Sequence, residues 1–176
     1  MVPRIMVILP ALLALAPAQA AAQEVFAGVL AHDVHLPIDK GGREGGAEVE
    51  IGWRSRALGG LGFLGGPSVY VRGALATSGG TDFVSVGLSW RLGSGALYVR
   101  PALGLAVQTG EMPVFANGLR RDLGSRVVFE PELAVGTRLA PRLSLEVALV
   151  HRSHAGLFAR QNPGMDSVGL RLNFRL

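Results

Sequence analysis

Apolar and polar residues alternate one for one along most of this 176-residue chain. Ala47, Val49, Ile51 and Trp53 interleave with Glu48, Glu50, Gly52 and Arg54. The same two-residue period recurs over residues 69–76, 84–92, 97–108, 126–135, 143–150 and 168–176, with clusters of Gly, Pro, Asn and Asp between the runs. Successive side chains on a strand project to opposite faces, so each run predicts a strand with one apolar face. Residues 24–35 read as a further extended segment whose two faces are poorly distinguished. Eight strands and an all-β chain follow.

The face opposite the apolar one mixes Gly, Ala, Ser, Arg and Glu. A water-soluble barrel would bury the bulky apolar set and a membrane barrel would turn it outward; the period is the same in both. Three features choose the membrane. Residues 1–20 carry Arg4, an apolar stretch over 5–16 and Ala18-Gln19-Ala20, the pattern of a cleaved secretory signal peptide. The small residues of the second face suit the narrow interior of an eight-stranded barrel. Finally, Glu48, Glu50, Glu130, Glu132 and Glu146 share that face with Arg54, Arg72, Arg91, Arg100, Arg126, Arg152 and Arg171. Opposite charges in similar number predict an internal ion-pair ladder, whereas arginine on the lipid face costs about 2–4 kcal/mol at the midplane. The expectation is an eight-stranded antiparallel transmembrane β-barrel of the bacterial outer membrane, formed by residues 21–176 as one domain.

An even strand number puts both barrel termini on the periplasmic side. Connections near 37–46, 78–81, 110–124 and 155–165 then face outward from the cell, and 93–95 and 140–142 are short periplasmic turns. The apolar, Gly-rich stretch 57–67 is long for such a turn, and the alternation offers no reason for it. Pro101 and Pro131 fall inside strands, where proline cannot donate to the ladder, so they predict bulges or local gaps.

Composition narrows the chemistry. With no cysteine, there is no disulfide framework, zinc-thiolate site or Cys nucleophile. Lys40 is the one lysine, and the planar fork of the many arginines suits phosphate and carboxylate partners, acidic lipid headgroups among them. A secretory signal leads away from nucleic acid. No EF-hand, P-loop or dinucleotide fingerprint is present, so neither metal nor cofactor is expected.

His151 and Ser153 are two positions apart and project from the same side of a strand, with Cα atoms ~6.5 Å apart. Asp166 opens the final strand on the parity of Val168 and Leu170. Odd–even counting therefore puts all three on the face that otherwise holds Leu, Val and Phe, the lipid side, near the outer end. A serine nucleophile needs a neighbouring base, and a carboxylate can orient that base and stabilise its imidazolium. The plainer alternative is that polar groups are ordinary at a barrel rim. No G-x-S-x-G elbow offers a competing nucleophile.

Read whole, His151-Arg152-Ser153-His154-Ala155-Gly156, followed by Asn162-Pro163-Gly164-Met165-Asp166 and an alternating closing strand, resembles the lipid A 3-O-deacylase family of outer-membrane acyl hydrolases. The detailed resemblance covers residues 151–176. It implies an eight-stranded barrel with a Ser-His-acid triad on its outer surface: Ser153 as nucleophile, His151 as base and Asp166 as acid. The family usually has Asn directly after the serine, where it shapes the oxyanion pocket, and Glu as the acid; this chain has His154 and Asp166. The pocket then falls to His154, Ala155 and Gly156, chiefly through backbone N–H groups. The implied function is a serine esterase that removes an ester-linked acyl chain from lipid A of lipopolysaccharide. A non-catalytic structural or adhesion barrel and a phospholipid esterase are the alternatives.

Other polar groups rank lower. His32, Asp33 and His35 read as solvated rim residues, with metal or headgroup contact as the sharper option. Arg120, Arg121, Asp122 and Arg160 lie in external connections, where they are either solvated or in reach of lipid A phosphates.

Overall fold

The computed structural model describes residues 24–35, 44–93, 95–110, 123–158 and 164–176. The expected leader 1–20 and the loop charges Arg120, Arg121, Asp122 and Arg160 lie outside the described residues. The strands are β1 (Glu24–Ala31), β2 (Ala47–Arg54), β3 (Ser68–Ala76), β4 (Phe83–Ser89), β5 (Leu97–Gln108), β6 (Val127–Ala140), β7 (Leu143–Arg152) and β8 (Met165–Arg175), with a 3-10 helix at Gly59–Leu64. Each strand pairs antiparallel with its chain neighbours, and β1 closes on β8 to complete a barrel. Closure gives each described strand a neighbour on both sides, which is what a β structure needs in hydrocarbon.

The apolar faces of β2 to β8 point outward: Ile51, Val86, Leu103, Leu133, Val147 and Leu170 are all exposed. In β1, Phe26 and Leu30 turn inward and are buried while Val25 and Val29 face out. Both faces of β1 are thus apolar, which is why its alternation is faint.

The interior is a lattice of buried charge. Arg171 binds Glu50 and Glu132, Arg72 binds Glu50, Glu130 and Glu132, Arg152 binds Glu48 and Glu130, and Arg100 binds Glu24 and Glu146. Buried ions are tolerated only when paired and hydrogen-bonded, and each of these guanidiniums meets at least two carboxylates. Small inward residues leave room for the larger ones: a Cβ on Gly104 would collide with the Tyr70 hydroxyl, which donates to Glu130. Arg126 departs from the expected ladder. It precedes β6, is exposed, and binds the Gln108 and Gly110 carbonyls at the external end.

Both prolines sit at gaps. The Pro101 carbonyl accepts the Trp90 N–H, but Pro101 has no N–H to return; β4 ends at Ser89, and pairing resumes only at the Leu92–Val99 bridge. The β6–β7 ladder runs to Glu132–Val150 and reappears as the Phe129–Ser153 bridge, so Pro131 faces His151 across the break. No register shift is needed at either proline.

Candidate active site

β7 ends with His151 and Arg152, and Ser153 follows as a bridge residue. Alternation sends Arg152 into the lumen, fully buried, and leaves His151 and Ser153 on the outer face. The β7–β8 register sets His151 directly opposite Asp166. His151 Nδ1 lies 2.8 Å from Asp166 Oδ1, and His151 Nε2 lies 3.0 Å from Ser153 Oγ. Carboxylates only accept, so Nδ1 carries the proton shared with Asp166, and Nε2 is left to accept from the serine hydroxyl. The Asp166 side chain is 4% exposed and the His151 ring 39%. One end of the relay is therefore dry and the other open to the surroundings.

The structure pins this trio from several sides. The Val34 N–H donates to the Asp166 carbonyl at 2.7 Å, tying the β1 loop to the acid's strand. Ser153 and Phe129 exchange backbone hydrogen bonds of 3.1 and 2.8 Å. Behind the trio, Arg152 forks onto Glu48 with two 2.8 Å bonds, and Ser167 joins the same carboxylate at 3.2 Å. Gly164 crosses close to the imidazole: it has φ 68°, and a Cβ there would stand 2.8 Å from His151 Cε1.

The three pocket residues behave differently from one another. His154 is buried; its Nδ1 accepts the Phe158 N–H at 3.3 Å and its carbonyl accepts the Leu157 N–H at 3.0 Å. Ala155 and Gly156 have φ 54° and 73°, so residues 154–157 form a primed β-turn, with alanine at a position that disfavours any Cβ. Phe158 then stacks on Phe129, with centroids 6.4 Å apart, and anchors the turn beside Ser153. Phe129 also walls an apolar groove of about 430 Å³ on the barrel exterior, together with Val69, Val86, Leu88, Leu103 and Leu105.

A family model described as lipid A 3-O-deacylase (PagL) matches residues 45–175. The chain belongs to that family. Among solved structures, the crystal structure of the outer membrane enzyme PagL matches with TM-score 0.58 and 16% identity, over 87% of this chain and 99% of that one. A de novo designed transmembrane β-barrel matches with TM-score 0.45 and 11% identity, over 88% and 95% of the two chains. The Yersinia pestis outer membrane protein Ail, in a phospholipid bilayer nanodisc, matches with TM-score 0.47 and 11% identity, over 88% and 99%. No curated protein matches the chain.

Asp166 stands directly across the sheet from His151. Directly opposed residues have Cβ atoms about 4.5–5.5 Å apart, a gap that a short carboxylate spans. His154, directly after Ser153, is buried with its Nδ1 turned to the Phe158 amide. Gly164, Phe129, Val34 and Ser167 are the further residues that brace this corner of the barrel. Parity does place Ser167 behind Asp166, and an Asn-Pro-Gly turn does flag Gly164, but register and close approach become visible only in three dimensions.

The rim reading of the first loop is corrected for two of its residues. His32 and Asp33 are buried, and only His35 is exposed. His32 Nε2 lies 2.9 Å from Glu44 and Nδ1 lies 3.1 Å from Glu48, which draw the ring inside. Burial opposes its charged form, yet these two carboxylates outweigh burial and raise its pKa from 6.5 to about 9. Among the described residues, no cluster of three or more His, Asp or Glu is placed to hold a metal.

Proposed function

We propose that this chain is a multi-pass outer-membrane serine esterase that removes an ester-linked acyl chain from lipid A, after loss of the leader 1–20. The observation that carries the proposal is the unbroken hydrogen-bond relay Asp166–His151–Ser153 on the outer wall, at the end bearing the long loops. In this reading Ser153 Oγ attacks the acyl carbonyl carbon while its proton passes to His151 Nε2. Asp166 holds the imidazole in the receiving tautomer and stabilises the imidazolium. The proton then goes to the departing sugar oxygen as the ester C–O bond breaks, leaving an acyl-serine. Water, deprotonated by His151, attacks that ester and releases the fatty acid.

The carbonyl oxygen gains negative charge in both steps and needs donors aimed at it. The Ser153 amide is engaged by Phe129, so the proposal assigns this task to the backbone N–H groups of residues 154–156. Their strained turn supports the assignment, since left-handed alanine costs about 1–3 kcal/mol and persists where its surroundings enforce it. The groove walled by Phe129 would hold the acyl chain beside Ser153 without removing it from an apolar medium.

The test is to incubate the purified barrel with lipopolysaccharide in detergent and follow the mass of lipid A. Loss of one acyl chain in the wild type, absent in Ser153→Ala, is the expected result. Unchanged lipid A together with cleavage of phospholipid would point to the phospholipid esterase. Failure of both, with no labelling of Ser153 by a serine-directed phosphonate, would leave a structural barrel.

A further inference from the structure

We infer that the loop after β2 is a periplasmic interfacial anchor, which lays Phe63 and Leu64 into the inner leaflet while neighbouring arginines meet phospholipid phosphates. Residues 57–67 read Ala-Leu-Gly-Gly-Leu-Gly-Phe-Leu-Gly-Gly-Pro and contain no polar side chain. Phe63 is 82% exposed and Leu64 48%, and no residue of the 3-10 helix is buried. The backbone nonetheless closes on itself. The N–H groups of Leu58, Leu61, Gly65 and Gly66 donate to the carbonyls of Pro67, Leu58, Gly62 and Leu61. Internal satisfaction of that kind is what an apolar medium demands and water does not.

The loop's position decides which medium it meets. Gly65 and Gly66, at φ 81° and 63°, turn it back so that Trp90 Nε1–H donates to the Leu64 carbonyl at 2.7 Å. Trp90 continues the outward parity of Val86 and Leu88. The next residue, Arg91, turns inward with its guanidinium 3.4 Å from the centre of the buried Tyr98 ring. The loop therefore packs on the outer wall instead of capping the lumen, and Phe63 and Leu64 continue the lipid-facing belt beyond β4. Tryptophan at such a level is characteristic of membrane–water interfaces.

Charge at this end of the barrel complements the inner leaflet. Arg56, Arg138, Arg142 and Arg175 are exposed. Among the described residues, the carboxylates nearest this end, Glu24 and Glu146, are buried and both bonded to Arg100. A ring of guanidiniums beside an apolar loop matches lipid phosphates above acyl chains, and arginine's fork binds phosphate well.

The native chain has no cysteine, so Phe63→Cys provides a single site for a nitroxide label in the full-length barrel, with Ser78→Cys in an external turn as the aqueous reference. In vesicles of phosphatidylethanolamine and phosphatidylglycerol, the label at 63 is expected to meet dissolved oxygen several-fold more often, relative to an aqueous nickel chelate, than the label at 78. Equal ratios at the two sites would overturn the anchor. Replacing Arg56, Arg138 and Arg142 together by Gln should at least halve the ratio at 63, and an unchanged ratio would remove the arginines from the proposal. The readout needs no catalysis, so it stands or falls independently of the esterase reading.

Discussion

His151 and Asp166 occupy one rung of the β7–β8 ladder, with Nδ1 2.8 Å from Oδ1. The sheet itself therefore aligns the pair. Asp166→Asn keeps the shape but withdraws the charge that favours the imidazolium. By the general behaviour of such triads, kcat should fall about 10⁴-fold, with KM changed only a few-fold and the β-sheet circular dichroism unaltered. Lipid A deacylation kinetics on both proteins would check this, and an Asn variant with wild-type kcat would strip Asp166 of any part in the reaction.

Gly164 is held against the imidazole by two independent constraints, its positive φ and the 2.8 Å approach that a Cβ would make to His151 Cε1. Gly164→Ala must either shift the ring or reshape the turn. A misplacement of about 1 Å can cost roughly 10²-fold, so kcat should drop by ten- to a hundredfold. Global stability should change far less, since the residue lies at the edge of β8. Kinetics set beside a denaturation curve distinguish this from simple unfolding.

The meeting of His151, Ser153 and Asp166 on one outer face follows from odd–even counting, because pleating fixes the side on which each residue projects. Seven strands are legible for the same reason. β1 is fainter since Phe26 and Val25 send apolar groups to opposite faces. The gaps that the two prolines require are visible in the sequence, but that Pro131 falls opposite His151 is not, because register depends on pairing between strands. Arg126 has interior parity yet lies outside β6, where strand length overrides alternation. His32 reads as a rim group because nothing local reveals that Glu44 and Glu48 converge on it from another strand and its preceding loop.

Arg152 stands between His151 and Ser153 in the chain but points the other way, fully buried against Glu48 and Glu130. Arg152→Met would leave those carboxylates undercompensated in the lumen. Breaking a buried pair from one side costs about 3–5 kcal/mol, and unfolding of the detergent-solubilised barrel in guanidinium should show a loss of that order. Adding Glu48→Gln should restore part of it. A double variant no more stable than Arg152→Met would mean that Glu48 is not the group Arg152 compensates.

His32 should make the external end of the barrel sensitive to alkali. The groups facing it are Glu44, from the loop before β2, and Glu48, from β2, with Arg152 beyond Glu48. Together the two carboxylates hold its folded-state pKa at about 9, above the ordinary 6.5, while His32 in turn lowers that of Glu44 against the opposing effect of burial. A raised histidine pKa contributes stability that is complete below the unfolded value and is lost as pH climbs through the folded one. The loss should therefore begin above pH 6.5, be largely complete a little above pH 9, and amount to roughly 3 kcal/mol. Thermal unfolding measured from pH 6 to 10 should show this decline in the wild type. In His32→Gln, the curve should be lower at pH 6 and nearly flat across the same range. A slope that persists in the variant would assign the titration to another group and leave His32 a neutral spacer between two carboxylates.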